Sequence, residues 1–127
     1  MNRMDKISPL MLARFTQIDY DREMALVAVI GEHTPKARIL GVARYISNLD
    51  AQSCEFALAI ADDCQQQGIG RHLMQRLMTV ARDRGLEIME GDVLAQNRKM
   101  LRLCKNLGFL TTHDQDDPEL MVVRRHL

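Results

Sequence analysis

Between Cys54 and Val80 the chain changes its hydrophobic period, and that change constrains the fold more than any other feature. Cys54, Phe56, Leu58 and Ile60 alternate with other residues; a polar segment follows, then Gly68-Ile69-Gly70, then apolar residues at Ile69, Leu73, Leu77 and Val80. A period of two giving way to a period near 3.6 predicts a strand, a glycine-bearing turn and a helix. The glycines let the backbone turn sharply, so the free amides of Gln66 to Arg71 can converge at the helix N-terminus. Such a place attracts anions, phosphates above all. A dinucleotide fold is a poorer fit, because the third glycine of its fingerprint is missing, and no Gly-Lys-Ser/Thr marks a P-loop.

The flanking sequence supplies more strands. Met24 to Ile30 is a nearly continuous apolar run, which predicts a central strand covered on both faces. Gly31 to Lys36, with Pro35, is a turn, and Ala37 to Ser47 returns as the second arm of a hairpin. With the strand at Cys54 to Ile60 the three form a meander. Ahead of them, Ser8-Pro9 followed by Met11, Phe15 and Ile18 on one face predicts a short helix to about Gln17. After the glycine turn, the helix stops at Arg84-Gly85. Leu86 to Leu94 reads as a strand, Asn97 to Asn106 as a helix, and Leu107-Gly108-Phe109 as the opening of another strand. Asp114 to Glu119 is an acidic loop before a last strand from Leu120 to Arg125. The result is a mixed α/β sheet flanked by helices.

Composition narrows the function classes. At 127 residues the chain is one domain, 1–127. Seventeen basic and seventeen acidic residues cancel, which argues against a nucleic-acid surface as the main business of the chain. No apolar run approaches the roughly 20 residues of a membrane span, and MNRMDKISP lacks the core of a signal peptide, so a cytoplasmic protein with no membrane partner is expected. Cys54, Cys64 and Cys104 show no CxxC spacing, and His33, His72, His113 and His126 show no ligand spacing, so neither a disulfide framework nor a metal is predicted.

Two motifs carry a family resemblance. Gln65-x-x-Gly68-x-Gly70 resembles the Gln/Arg-x-x-Gly-x-Gly/Ala signature of the GCN5-related N-acetyltransferases (GNAT), and the run from Asn97 to Gly108-Phe109 resembles that family's second motif at the expected spacing. Ala13 to Val29 and Ile39 to Arg44 are similar to the acetyltransferase domain of bacterial protein-lysine acetyltransferases. The resemblance implies a GNAT-like acyl-CoA N-acyltransferase fold, mixed α/β with a mostly antiparallel sheet, here without the strand and helix that usually open it. It also implies acetyl-CoA as acyl donor and an amine acceptor, a protein lysine first among the choices.

Site residues follow from both lines of reasoning. Glu55 shares a strand face with Ala57 and Ala59, so it stands over small neighbours where a substrate could fit. Only a neutral amine attacks a thioester, and a partly desolvated carboxylate would have its pKa raised toward the range a base needs. The resemblance makes Glu55 that base; the plain alternative is a solvated strand glutamate. Glu90 and Asp92, on the neighbouring strand, are reserve candidates. Gln65, Gln66, Gln67, Gly68, Ile69, Gly70 and Arg71 would cradle the pyrophosphate, and main-chain groups of Leu58, Ala59 and Ile60 would meet the pantetheine arm. Asn97 caps its helix and, by resemblance, touches the cofactor arm. Cys104 stands where many relatives carry the tyrosine that protonates the departing thiolate, yet it shares a helical face with Met100, Leu103 and Leu107, which reads as core. The acidic loop at Asp114, Asp116, Asp117 and Glu119 could attract a lysine-rich surface, although such runs are commonly just solvated. The competing functions are a non-catalytic acyl-CoA-binding or sensing module and a small-molecule amine acetyltransferase, and an unpaired sheet edge would offer a second copy of the chain a place to pair.

Overall fold

The computed structural model describes residues 11–13, 22–65 and 68–127. Those residues form seven strands and two α-helices: β1 (Met11–Ala13), β2 (Glu23–Ile30), β3 (Arg38–Ser47), β4 (Ser53–Ile60), α1 (Ile69–Asp83), β5 (Ile88–Leu94), α2 (Arg98–Asn106), β6 (Leu110–His113) and β7 (Leu120–His126). A single turn of 3-10 helix, Asp62–Cys64, joins β4 to the segment before α1. One sheet holds every strand, in the order β1-β2-β3-β4-β5-β7-β6. All neighbours run antiparallel except β4 and β5, which are parallel because α1 carries the chain back over the sheet between them.

Burial follows the period of each segment. On β4, Cys54 and Phe56 are buried and Leu58 and Ile60 half-buried, all on one face, while Glu55, Ala57 and Ala59 are exposed on the other. Helix α1 lays Ile69, Leu73, Met74, Leu77 and Ala81 into the core. They meet Met24, Leu26 and Ala28 of β2, Ala43 and Tyr45 of β3 and Met89 and Val93 of β5. Cys104 and Leu107, at the end of α2, and Phe109 join the same core. One sheet face is therefore roofed by helices. The other carries Glu23, Arg44, Ile46, Glu55, Ala57, Glu90 and Arg124, placed together by register.

Two expectations change. The helix predicted over Ser8-Pro9 to about Gln17 is overturned where it is described, because Met11–Ala13 pairs antiparallel with Ala25 to Val27 as β1. The rest of that expectation lies outside the described residues. A short apolar run fits either period, and an open edge on β2 satisfies its backbone groups as a strand. A strand therefore stands ahead of the hairpin, where the sequence reading expects none. The second change concerns β2, which lies one place from the sheet edge instead of at the centre. Its apolar run is explained by burial of Met24, Leu26 and Ala28 under the helices and of Ala25 on the opposite face. No helix among the described residues is long and apolar enough to cross a membrane.

Candidate active site

The site is built where the parallel ladder fails. β4 and β5 pair only at Ser53 with Ile88, Cys54 with Met89 and Glu55 with Glu90. Beyond that rung β4 runs on to Ile60 bonded to β3 alone, and β5 runs on to Leu94 bonded to β7 alone. The strands fork. Along one limb, main-chain groups of Phe56 to Ile60 lack a strand partner on the side of the gap, and a ligand with amide groups could take that place.

Both helices begin at the fork. Gly68 precedes α1 with φ +83°, a conformation that glycine adopts without penalty, and α1 starts with no side-chain cap and no acidic residue in its first turn. Its positive end is left open for an anion. Gly70 has a different job from the turn expected for it: it lies inside the first turn of α1, where an added Cβ would sit 3.2 Å from Leu103 Cδ2 and 3.4 Å from Leu58 Cδ2. The missing side chain lets α1, β4 and α2 converge. On α2, Asn97 Oδ1 accepts a hydrogen bond from the Met100 N–H at 3.2 Å and so caps the helix.

These elements enclose a cleft of about 340 Å³. Its walls are Leu58, Ala59 and Ile60 from β4, Gln65, Gly68, Gly70 and Arg71 around the start of α1, and Asn97, Lys99, Met100 and Leu103 from α2. The lining contains two cations and no carboxylate, which suits a phosphate-bearing ligand with an apolar arm. On the opposite sheet face, at the closed end of the fork, a second recess of about 350 Å³ is lined by Glu55, Ala57, Glu90, Asp92 and Val122. Glu55 also borders a smaller hollow of about 180 Å³ with Glu23, Arg44 and Ile46. It is exposed, so the desolvation anticipated for it is not supplied by the residues of its own face.

Of the residues singled out from sequence, Leu58, Ala59, Ile60, Gln65, Gly68, Gly70, Arg71 and Asn97 line the cleft, and Glu55 lies at the apex of the fork. Ile69 and Cys104 do not line it. Each is 1% exposed, within the core, because the helical period that brings their neighbours to the cleft turns these two inward. Burial pushes the Cys104 thiol up to about 11, so it is held protonated and away from any ligand. Gln66 and Gln67 lie outside the described residues. Lys99, Met100 and Leu103 were missed as site residues. The signal available was their place on the helix that Asn97 opens. Among the described residues, no group of three or more His, Cys, Asp or Glu side chains is arranged to hold a metal ion.

Comparison with known proteins agrees with this architecture. The model of the acetyltransferase (GNAT) family matches residues 4–109. The chain belongs to the GNAT family. It is 36% identical over 124 residues to acetyltransferase PA5475 of Pseudomonas aeruginosa, a match covering 98% of the chain and 66% of that protein. A shorter match, 38% over 58 residues, links 46% of the chain to 34% of the L-amino acid N-acyltransferase MnaT of Escherichia coli. Among solved structures, the GNAT domain of S. lividans PAT superposes with a TM-score of 0.75 at 24% identity, covering 90% of the chain and 66% of that domain. A cAMP-binding acyltransferase from Mycobacterium smegmatis gives a TM-score of 0.72 at 24% identity, over 87% of the chain and 33% of that protein. The chain thus spans just under two thirds of the length of PA5475, and the structural likenesses speak for the GNAT fold.

Proposed function

We propose that this GNAT chain binds acetyl-CoA in the fork between β4 and β5 and transfers the acetyl group directly to an amine, most readily a protein lysine, with Glu55 as general base. The observation that carries the reading is the end of the parallel ladder at Glu55 and Glu90, with a cationic cleft on the helix side and a carboxylate-lined recess on the other. The pyrophosphate would rest on the amides at the start of α1, with Arg71 and Lys99 beside it. The pantetheine arm would run along Leu58 to Ile60 as an added strand, bringing the thioester toward Glu55.

In this reading the Glu55 carboxylate takes a proton from the acceptor ammonium, directly or through one water. The neutral nitrogen attacks the thioester carbon, the C–N bond forms, the nitrogen gives up its second proton to solvent, the C–S bond breaks and CoA leaves as thiolate. Cys104 is sealed in the core, so it does not protonate that thiolate. A thiol that ionises near ~8.5 leaves adequately without such help. No acyl-cysteine step is invoked, since all three cysteines are buried. The open face around Glu55, unroofed by helices among the described residues, supports an acceptor as large as a protein, as does the resemblance of the hairpin to bacterial protein-lysine acetyltransferases. A cytoplasmic location and one GNAT domain over residues 1–127 are part of the same reading. The partial likeness to an L-amino acid N-acyltransferase supports a second possibility, a small amine acceptor.

The test is acetyl-CoA turnover with a lysine-rich protein, with polyamines and with free amino acids, comparing wild type and Glu55→Gln. Turnover on protein that is lost in Glu55→Gln supports the reading. Turnover on small amines alone replaces the acceptor, and CoA binding without turnover on any acceptor leaves an acyl-CoA-binding module.

A further inference from the structure

The segment that feeds the start of α1 is tied to a strand two places away in sequence order. Ala61 N–H donates to the Leu40 carbonyl at 2.9 Å, and Cys64 N–H to the Ala61 carbonyl at 2.9 Å, with the Cys64 side chain fully buried beneath the turn. On the outside of the same turn, Arg38 Nη1 donates to Asp63 Oδ2 at 2.8 Å and Arg38 Nη2 donates to Asp63 Oδ1. This is a fork-to-fork pair between the first residue of β3 and the turn ahead of Gln65 and Gly68. We propose that Arg38 and Asp63 form a latch that holds the turn Asp62–Cys64, and with it Gln65 at the edge of the cleft, in place for acyl-CoA, which makes both of them positioning residues for the cofactor.

The latch acts by preorganisation. An anion site made of main-chain amides works only if those amides already point together, and any ordering required on binding is subtracted from affinity. Ile69 fixes the start of α1 in the core, and Cys64 pins the turn from below. Arg38 with Asp63 closes it from above. The pair is largely exposed, with side-chain exposures of 45% and 61%, so it contributes little to global stability. Its effect should therefore appear in ligand binding. Bidentate geometry needs the planar guanidinium, which lysine cannot reproduce. Arg38 also holds the Asp63 carboxyl at about 2, so the latch stays closed throughout the neutral range.

The inference rests on the acyl-CoA reading, and the test separates the two. Calorimetry with coenzyme A and steady-state kinetics with acetyl-CoA would compare wild type, Arg38→Gln, Asp63→Asn and the reversed pair Arg38→Asp with Asp63→Arg. Each single variant should weaken CoA binding and raise KM about five- to tenfold, leave kcat within about twofold, and move Tm by no more than about 2 °C. The reversed pair should recover most of the loss. Asp63→Asn is decisive, because a cation acting only by charge on the phosphates would bind CoA more tightly once its acid is removed, whereas a broken latch binds it less. Hydrogen exchange in the ligand-free protein gives a readout independent of activity: amides at the start of α1 should exchange faster in both single variants. Wild-type heat with CoA but equal affinity in the single variants overturns the latch, as does unchanged exchange. No heat from wild type overturns the acyl-CoA reading instead, and exchange alone then decides whether the latch orders the start of α1.

Discussion

Glu55 and Glu90 are Cα partners on the last rung of the parallel ladder between β4 and β5, and both side chains belong to the sheet face that the helices leave open. Glu90 is in turn opposite Arg124 on β7, while Glu55 is opposite the apolar Ile46 on β3. Two acids of like charge thus differ in their neighbours: one faces a guanidinium-bearing residue across the strand and the other does not. Glu55→Gln should lower kcat with acetyl-CoA by about 10²- to 10³-fold with little change in KM for the cofactor. Glu90→Gln should cost about tenfold or less. Equal losses in the two variants would assign proton removal to the pair instead of to Glu55.

Gly70 is required by convergence of three elements, not by backbone conformation. In Gly70→Ala the helix gains about 0.5–1 kcal/mol of intrinsic propensity, and the new Cβ presses on the flexible ends of Leu103 and Leu58. The fold should tolerate it, with Tm unchanged or raised, while the narrowed cleft raises KM for acetyl-CoA about tenfold. Thermal melts and kinetics on one preparation separate the two effects.

At Gly91 the same substitution should instead damage the fold. A Cβ there would lie 2.6 Å from Phe56 Cε1 and 2.9 Å from Cζ, and the ring cannot retreat because it packs on Phe109 with centroids 5.4 Å apart. Gly91→Ala should destabilise by about 1–3 kcal/mol, seen as a lower midpoint in urea. An unchanged midpoint would mean that the ring has another place to go.

Burial makes the thiols inert. Cys54 is pushed up to about 12, by desolvation first and by the Glu90 charge second, and Cys104 to about 11 by desolvation. At pH 8 the folded protein should react with a thiol reagent far more slowly than the protein in denaturant, where all three cysteines titrate. Both folded values exceed the ordinary thiol value of 9.0. Their contribution to stability is therefore complete below pH 9 and is lost as pH rises toward the folded values. Melting temperature should fall on the alkaline side of pH 9, less steeply in Cys104→Ala.

Much of the fold was legible because each long segment obeys one period. Alternation at Cys54 to Ile60, helical spacing from Ile69 to Leu77 and the Asn97 cap are local properties, and β4, α1 and α2 stand within a residue or two of where those signals put them. Met11 to Ala13 was misread because three apolar residues carry too little periodicity to outweigh an available sheet edge. The fork could not be read from period or spacing, and only the family resemblance implied open main-chain groups at Leu58 to Ile60. Nothing in the residues of β4 says that its pairing with β5 stops at Glu55, since that depends on how elements distant in sequence pack against it. Nor does spacing say that Arg38 meets Asp63 across 25 residues.

The chain's own residues determined β2 to β7, both helices and the glycine-bearing turn ahead of α1, because hydrophobic period and backbone freedom are set by near neighbours. Only the tertiary structure decided which residues share the cleft, which of them are sealed in the core, and where two strands part. Those outcomes come from side chains distant in sequence competing for the same space, and that competition is settled when the sheet and helices pack.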